Sequence, residues 1–313
     1  MIQRIPGIHH VTAITADGQK NIDFYCGVLG LRLVKVTVNF DDPQSYHLYY
    51  GDELGRPGTI MTFFVWPGAQ RGRIGSGQVT ATSFSVPRAS LDYWKGRLES
   101  VTIAPTRFGD QVLQFSDPDG IRLEIVGRPT EDSRPPWSDG PVSAQHAIRG
   151  FHGVTLSVEG YEHTTTLLTG TLGFKSEGGD ESRYRFLGDS PYAEVVDVLC
   201  VPDGARGTLG AGIVHHVAFR AGDEESQKRW RQTLTKIGQN VTPVIDRTYF
   251  HSIYFREPGG VLFEIATDDP GFTVDESPES LGTTLKLPPQ YENARSVIES
   301  ILPALRFPKG TTS

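Results

Sequence analysis

The amino-acid sequence predicts an α+β fold in which four βαβββ modules are arranged in two domains. The first observation is an apolar segment with histidine that occurs three times, as GIHHVT at residues 7–12, FHGVTL at residues 151–156 and GIVHHV at residues 212–217. The second is a turn with Pro and Gly that leads into an apolar strand with Glu at the same place, at residues 116–125 and 256–265. Such recurrence is typical of a chain built from repeated modules.

The first module has the pattern of a strand, a helix and three further strands. Apolar and β-branched residues predict the first strand at residues 8–15, and helical spacing predicts a helix at residues 21–29. Gly30 follows this helix, as glycine commonly does at helix C-termini, because it adopts the left-handed conformation without strain. Three segments of strand composition complete the module, at residues 31–39, 46–50 and 59–66.

The second module repeats this order of elements. A strand is predicted at residues 79–86 and a helix at residues 91–98. Three short strands follow, at residues 106–108, 111–115 and 121–126.

The third and fourth modules follow the same plan. The third begins with a strand at residues 154–158 and a helix at residues 164–172, whose Leu-Gly-Phe exit mirrors the Leu-Gly-Leu exit of the first helix. The elements of the fourth are a strand at residues 214–220, a helix at residues 225–237, and strands at residues 241–244, 252–256 and 261–267.

A segment rich in Pro, Asp, Ser and Gly, with weak apolar periodicity, divides the chain. We therefore predict an N-terminal domain at residues 1–127 with modules one and two, a linker at residues 128–149, and a C-terminal domain at residues 150–280 with modules three and four. The tail, residues 281–313, contains apolar residues at helical spacing. They predict one amphipathic helix at residues 294–305, packed on the outside of a sheet.

Composition limits the function classes. The net charge of -7 for 313 residues argues against nucleic-acid binding, because binding to phosphates needs a basic surface. No apolar run is long enough to span a membrane, and the start lacks the apolar core of a signal peptide. Cys26 and Cys200 give no disulfide framework, and we interpret both as buried apolar residues of a cytoplasmic protein. The oligomeric state stays open, a homo-oligomer included.

Paired histidines in two of the repeats, at residues 9–10 and 215–216, suggest a metal site, because imidazole is the commonest ligand for transition metals in proteins. Two histidines and one carboxylate form the facial triad of non-haem iron sites. Glu264 lies on an apolar strand, where a carboxylate without a partner would be costly. The third module has Gly153 where the second histidine would be, and the second module has no histidine in its first strand. Modules one and four together therefore offer the complete set, in a site that bridges the two ends of the chain.

Several motifs occur in the order found in a known superfamily. The segments FYCGVLGL at residues 24–31, YHLYYGDELG at residues 46–55, TRFG at residues 106–109 and IVHH at residues 213–216 resemble the vicinal oxygen chelate superfamily. That superfamily includes glyoxalase I, bleomycin-resistance proteins and extradiol ring-cleaving dioxygenases. Within it, the chain is similar to the hydroquinone-type ring-cleaving dioxygenases. The resemblance implies that each domain forms a curved, partly open mixed β-barrel with helices outside.

The resemblance also implies the ligands and the chemistry. It assigns a divalent metal to the second histidine of each pair and to the late glutamate, which are His10, His216 and Glu264 here. The implied metal is Fe(II), with Mn(II) as an alternative at the same ligand set. The implied substrates are O₂ and a small aromatic diol, a hydroquinone in the first place.

Four further residues are candidates for catalytic roles. Strand alternation would point His9 and His215 away from the ligand face, so the acid–base role that the resemblance implies for His215 requires a strand start or a bulge. The resemblance implies that Tyr254 also moves a proton and that Arg247 stabilises negative charge on substrate oxygen. Thr12 lies two residues after a ligand, shares its face and is expected to line the pocket.

Other titratable residues have simpler interpretations. Glu124 occupies the place of Glu264 in module two without histidine partners, so we predict that it forms a structural ion pair, with an Arg as the partner. His47 and His251 are interpreted as structural residues.

Two other functions are compatible with the same scaffold. One is a glyoxalase-like metal-dependent isomerase or thiol transferase, although such enzymes usually hold their metal with four protein ligands and only three are evident here. The other is a metal-free small-molecule binding or resistance protein, against which the retained ligand set argues.

Overall fold

The computed structural model describes residues 4–128, 132–180 and 182–308. Residues 129–131 of the predicted linker and residues 309–313 of the predicted tail lie outside the described residues. Within the described part of the chain, no helix is long and apolar enough to cross a membrane.

Strands make up most of the regular structure. In the described residues they are β1 (Ile8–Thr15), β2 (Arg32–Asn39), β3 (Asp42–Gly51), β4 (Ile60–Val65), β5 (Gln78–Val86), β6 (Thr102–Ile103), β7 (Gln111–Ser116), β8 (Arg122–Gly127), β9 (Gly150–Val158), β10 (Lys175–Asp180), β11 (Arg183–Leu187), β12 (Val195–Cys200), β13 (Val214–Gly222), β14 (Ile245–Asp246), β15 (Phe250–Arg256) and β16 (Leu262–Pro270). The α-helices are α1 (Gly18–Ile22), α2 (Leu91–Arg97), α3 (Glu162–Thr166), α4 (Glu224–Lys236) and α5 (Arg295–Ile301).

Two eight-stranded sheets combine modules from both halves of the chain. The first sheet has the order β14-β15-β16-β13-β1-β4-β3-β2, and it is curled into a half-barrel. The second has the order β10-β11-β12-β9-β5-β8-β7-β6. Their central pairs, β1 with β13 and β5 with β9, are antiparallel, whereas β1 with β4 and β13 with β16 are parallel. The predicted α+β class with mixed, curved sheets is confirmed, and module one shares a sheet with module four.

The helices cover apolar residues of the sheets. The longest, α4, begins where the Asp223 side chain accepts a hydrogen bond from the Ser226 backbone N–H, which satisfies one free donor of the first turn. It buries Trp230 and Leu234 and packs against β13, β15 and β16. This helix therefore covers apolar residues of three strands of the first sheet.

The first helix differs from the prediction in start and form. It begins at Gly18 rather than residue 21, because the Asp17 side chain accepts from the Lys20 backbone N–H and caps it. It then continues as a π-helical turn, Asp23–Val28, before the predicted C-terminal glycine, Gly30, at φ 71°. The third module repeats this π-helical form at Leu167–Thr171.

Two predicted strands and one predicted helix end are wrong. Residues 106–108 form a turn, because Phe108 at φ 49° and its glycine neighbour reverse the chain, and β6 lies earlier. Residues 241–244 are not a strand, since Pro243 has no N–H for a ladder, and β14 follows instead. The tail helix ends at Ile301 rather than residue 305, because Leu302 precedes a proline and is extended.

Candidate metal centre

Three acidic or imidazole side chains converge on the concave face of the first sheet. His10 lies on β1, His216 on β13 and Glu264 on β16. In the register of these strands, Ala218 is opposite both His10 and Glu264, and His216 is two residues from Ala218. All three side chains therefore point to the same face. The structure thus brings together the three residues that the sequence predicts as ligands.

The donor atoms of these residues surround a common point. Glu264 Oε2 lies 2.9 Å from His216 Nε2 and 3.2 Å from His10 Nε2, and the two Nε2 atoms are 3.4 Å apart. Glu264 Oε1 accepts a hydrogen bond from Ser252 Oγ at 2.5 Å. Oε2, although buried, makes no hydrogen bond of acceptable geometry within the described residues. An orphaned carboxylate oxygen that faces two imidazole nitrogens fits a divalent cation, and among the described residues this is the one such cluster.

The charge state of the glutamate agrees with this fit. Burial by itself would raise the pKa of Glu264, but His10 and His216 hold the pKa well below its usual value, so the group is a carboxylate. Burial lowers the pKa of His216, which favours the neutral imidazole that a metal requires.

The histidine that precedes each of these two imidazoles also points inward. His9 Nδ1 lies 2.9 Å from His10 Nδ1, and His215 Nδ1 lies 2.8 Å from His216 Nδ1. The register between β1 and β13 shifts at His9 and again at His215. Each shift is a β-bulge that turns its side chain toward the face of its neighbour, as the predicted role of His215 requires.

These contacts determine which nitrogen of each predicted ligand is free. Burial, in the first place, lowers the pKa of His9 well below its usual value and that of His215 to about 3, so both rings are neutral acceptors. If each accepts the Nδ1 proton of its neighbour, the Nε2 atoms of His10 and His216 carry lone pairs toward Glu264.

A cavity of about 340 Å³ opens beside the three converging residues. Its apolar walls are aromatic in large part, with Phe40, Phe64, Trp66 and Phe250. Its polar lining contains the predicted residues Thr12, His215, Arg247 and Tyr254, together with His47 and Tyr49. An apolar pocket with a few converging polar groups is the usual form of a small-molecule site.

Tyr254 and Arg247 form a unit at one side of this cavity. Tyr254 is opposite Glu264 in the pairing of β15 with β16. Arg247 Nε lies 3.3 Å from the Tyr254 hydroxyl, and the guanidinium makes two contacts with Asp41, at 3.2 and 3.1 Å. Burial and the Glu264 carboxylate raise the pKa of Tyr254, so the phenol keeps its proton.

The second sheet has the same architecture without histidines at the two ligand positions. Ser83 is opposite both Glu124 and Gly153, as Ala218 is opposite Glu264 and His10. Arg107 Nη2 donates to Glu124 Oε1 at 2.6 Å and Ser83 Oγ donates to Oε2 at 2.6 Å. Glu124 thus makes the ion pair with an arginine that the sequence predicts. A groove of about 850 Å³ lies nearby, larger than the first cavity, but it lacks converging metal donors among the described residues.

The two histidines that the sequence analysis interprets as structural residues differ in position. His47 lines the cavity, and both of its ring nitrogens are hydrogen-bonded, to Thr62 and Tyr49. Sequence analysis missed these three residues as a group, and only the alternation of His47 and Tyr49 on one strand hinted that they share a face. His251 lies outside the cavity, 3.5 Å from Glu224, in agreement with a structural role.

The chain is similar to known proteins over nearly its whole length. The Glyoxalase/Bleomycin resistance protein/Dioxygenase superfamily model matches residues 7–125 and 150–265. A Bacillus subtilis (strain 168) protein named as a ring-cleaving dioxygenase, MhqO, is 51% identical over 304 residues, which cover 96% of both chains. The chlorohydroquinone/hydroquinone 1,2-dioxygenase of Sphingobium indicum is 39% identical over 307 residues, which cover 94% of both. A crystal structure of a Bacillus subtilis protein described as a dioxygenase superposes with a TM-score of 0.93 at 48% identity, over 97% of this chain and 98% of that one.

Proposed function

The chain belongs to the Glyoxalase/Bleomycin resistance protein/Dioxygenase superfamily, and from this premise we propose that it is a ring-cleaving dioxygenase. Its substrate would be a hydroquinone or a related small aromatic diol, its second substrate O₂, and its metal Fe(II), with Mn(II) as the alternative. The observation that carries the proposal is the convergence of His10, His216 and Glu264 beside an aromatic-walled cavity.

The comparisons support this reading over its rivals. The relatives named for ring-cleaving or hydroquinone dioxygenase activity match nearly the whole chain at 39% to 51% identity. The converging group has three residues rather than the four usual in glyoxalases, which favours an oxygenase. A metal-free binding protein would have no use for an orphaned carboxylate oxygen between two imidazoles.

The three converging residues would hold the metal, and the remaining residues would control its surroundings. When bound, Fe(II) in a site of two histidines and one carboxylate supplies a redox centre with open positions for a diol and O₂. His9 and His215 would fix the tautomer and orientation of His10 and His216 through the Nδ1 contacts. The aromatic walls would bind the substrate ring and exclude water.

Proton transfer and charge stabilisation would come from the other polar groups of the cavity. Arg247 donates to the Tyr254 oxygen, which leaves the Tyr254 proton available to a substrate oxygen. Arg247 would also stabilise negative charge that develops on substrate oxygen. With Nδ1 accepting from His216, the proton of His215 would reside on Nε2, where it would exchange with substrate. Thr12 would contribute a hydroxyl from the ligand strand.

Oxygen uptake tests the proposal directly. Protein purified without oxygen and loaded with Fe(II) should consume O₂ with hydroquinone, and the His10→Ala variant should consume none. Mn(II)-loaded protein, assayed in parallel, identifies the metal that supports turnover. If the wild type takes up no oxygen with any hydroquinone or catechol, yet isomerises the hemithioacetal of an aldehyde and a thiol, the glyoxalase-like function replaces this one.

A further inference from the structure

A row of four hydrogen-bonded side chains runs beside the cavity, across three strands of the first sheet. Thr62 Oγ1 on β4 donates to Thr12 Oγ1 on β1 at 2.8 Å. His47 Nε2 on β3 lies 2.8 Å from Thr62 Oγ1, and the Tyr49 hydroxyl lies 2.9 Å from His47 Nδ1. All four residues are buried, none more than 8% exposed. Such a buried, fully connected row holds each member in one orientation.

The number of protons on each side chain determines which residue donates and which accepts in this row. The Thr62 hydroxyl has one proton, which it donates to Thr12, so it must accept from the Nε2–H of His47. Burial above all, and then the charges of nearby imidazoles, lower the pKa of His47, so the ring carries only one proton. With that proton on Nε2, Nδ1 accepts the proton of the Tyr49 phenol.

The opposite direction is disfavoured at the inner end of the row. It would require His47 to donate from Nδ1 to the Tyr49 oxygen, and the Tyr49 proton would then need another acceptor. Tyr49 is 1% exposed, and no other acceptor lies within hydrogen-bond distance of its hydroxyl among the described residues. With the Thr62 proton on Thr12, the protein leaves the Tyr49 hydroxyl one acceptor, His47 Nδ1, so the row runs from Tyr49 to Thr12, and both ends line the cavity.

The outer end of the row is the Thr12 hydroxyl, whose own proton is left for a group in the cavity. Thr12 Oγ1 accepts from Thr62, and in the described part of the chain no acceptor lies within hydrogen-bond distance for its own proton. Thr12 lines the cavity and is opposite His216 in the pairing of β1 with β13. Its proton is therefore directed at whatever occupies the cavity beside the proposed metal ligands.

We propose that Tyr49, His47 and Thr62 are positioning residues that make Thr12 an obligate hydrogen-bond donor to an oxygen atom of the substrate diol. The inference rests on the proposed function and deepens it. The oxygen that Thr12 meets must accept a hydrogen bond, so the arrangement favours a diol whose ring oxygen at this place is deprotonated or directs its own proton elsewhere.

The competing explanation is that the row only stabilises the fold. The His47 ring lies 4.1 Å from the Tyr49 ring and 4.5 Å from the Phe64 ring, centroid to centroid, so it also fills space. A residue with a purely structural role would affect binding independently of Thr12, whereas a positioning residue acts through it. A double-mutant cycle separates these cases.

The experiment uses full-length, Fe(II)-loaded protein under nitrogen and measures hydroquinone binding by calorimetry. Thr62→Val removes the hydroxyl at nearly constant shape and should weaken binding about threefold to tenfold, the range for one neutral hydrogen bond. Thr62→Ser keeps the hydroxyl and should bind hydroquinone with the wild-type affinity. The Thr12→Val/Thr62→Val double variant should bind as weakly as Thr12→Val and no weaker. Metal content and thermal unfolding are measured for every variant.

A second variant covers the case in which Thr62→Val does not fold. Tyr49→Phe removes the inner donor, so His47 is no longer held in one tautomer, and binding should weaken in the same direction by a smaller factor. The inference is overturned if the effects of Thr12→Val and Thr62→Val multiply, or if both Thr62→Val and Tyr49→Phe bind hydroquinone like the wild type. In those cases hydroquinone turnover by the wild type persists and the proposed function stands. A wild type that neither binds nor consumes hydroquinone removes both.

Discussion

The Nδ1 atoms of His215 and His216 lie 2.8 Å apart, although the two residues are consecutive in one strand. Regular alternation would place them on opposite faces of the sheet. The β-bulge at His215 allows the contact, and the bulge at His9 produces the same contact with His10. Each of the two proposed histidine ligands is therefore oriented by the residue before it. The same β-bulge occurs in both strands and directs both Nε2 atoms toward Glu264.

This relationship predicts that His215 contributes to metal affinity without binding the metal. Changing His215 to Phe keeps a ring of similar shape but removes the acceptor that fixes His216. Metal affinity should fall by about 10- to 100-fold, as is typical for loss of a hydrogen-bond partner of a ligand. Competition with a chelator of known affinity measures the change. The matched control is His251→Phe, since His251 lies outside the cavity, and its affinity should stay at the wild-type value. Equal affinities in all three proteins would contradict the assignment.

The ligands themselves predict a stronger effect. His10→Ala, His216→Ala and Glu264→Ala should each lose the metal during dialysis, because a site with two remaining donors binds a divalent ion weakly. Metal content by elemental analysis, with circular dichroism to show that the variants fold, provides the measurement. Full retention of metal by His10→Ala would mean that the ends of the chain do not share one site.

Glu124 provides the negative control for that experiment. Glu124→Gln should keep its metal and most of its activity, because the positions of His10 and His216 correspond to Gly153 and Ala81 in the second sheet. It should still lose about 2–4 kcal/mol of unfolding free energy, since the change leaves the largely buried Arg107 without its counter-charge. Urea unfolding tests the stability, and metal loss without unfolding would show that the modules were paired wrongly.

Much of the fold was predictable from local patterns. The strand β1 has the predicted bounds, because its apolar and β-branched residues have no other plausible structure. The π-helical turn at Asp23–Val28 was not predictable, since one extra residue per turn leaves no mark on apolar spacing. Residues 241–244 show a different error. Their composition is typical of a strand, but a single proline without a backbone N–H prevents the strand from pairing there.

The residues of the site that recur at the same position in several modules were predictable from the sequence. The residues that only strand pairing brings together were not. His10, His216 and Glu264 stand out because the same positions recur between modules. His47 and Thr62 do not, because each is an ordinary strand residue until the register of β3 with β4 brings them to 2.8 Å. The pairing of Arg247 with Asp41, 206 residues away, is equally invisible in the sequence.

A buried lysine predicts how the segment that follows β16 contributes to stability. Lys35 is fully buried, and its Nζ contacts the carboxylates of Asp275 and Glu276 as well as the Phe272 carbonyl at 3.1 Å. Lys35→Met should cost about 3–5 kcal/mol of unfolding free energy, because it leaves these carboxylates unpaired. Lys20→Met is the control, since Lys20 is exposed and its pair with Asp17 contributes little. Similar unfolding midpoints for the two variants would refute this account of the segment after β16.

The chemical role proposed for Tyr254 leads to the prediction with the most consequence for mechanism. Its phenol keeps its proton because burial and Glu264 raise the pKa, and Arg247 donates to the oxygen, so the proton is available to a substrate oxygen. Tyr254→Phe should therefore lower kcat for hydroquinone by about 10²-fold or more, the usual loss for one acid–base group, with little change in iron content.

Tyr249→Phe is the matched control, because this buried phenol donates to Asp275 at 3.1 Å rather than lining the cavity, and its kcat should stay near the wild-type value. Steady-state oxygen uptake at equal iron occupancy makes the comparison. Unimpaired turnover in Tyr254→Phe would leave the dioxygenase function intact and transfer the proton donor to another group, with His215 as the next candidate.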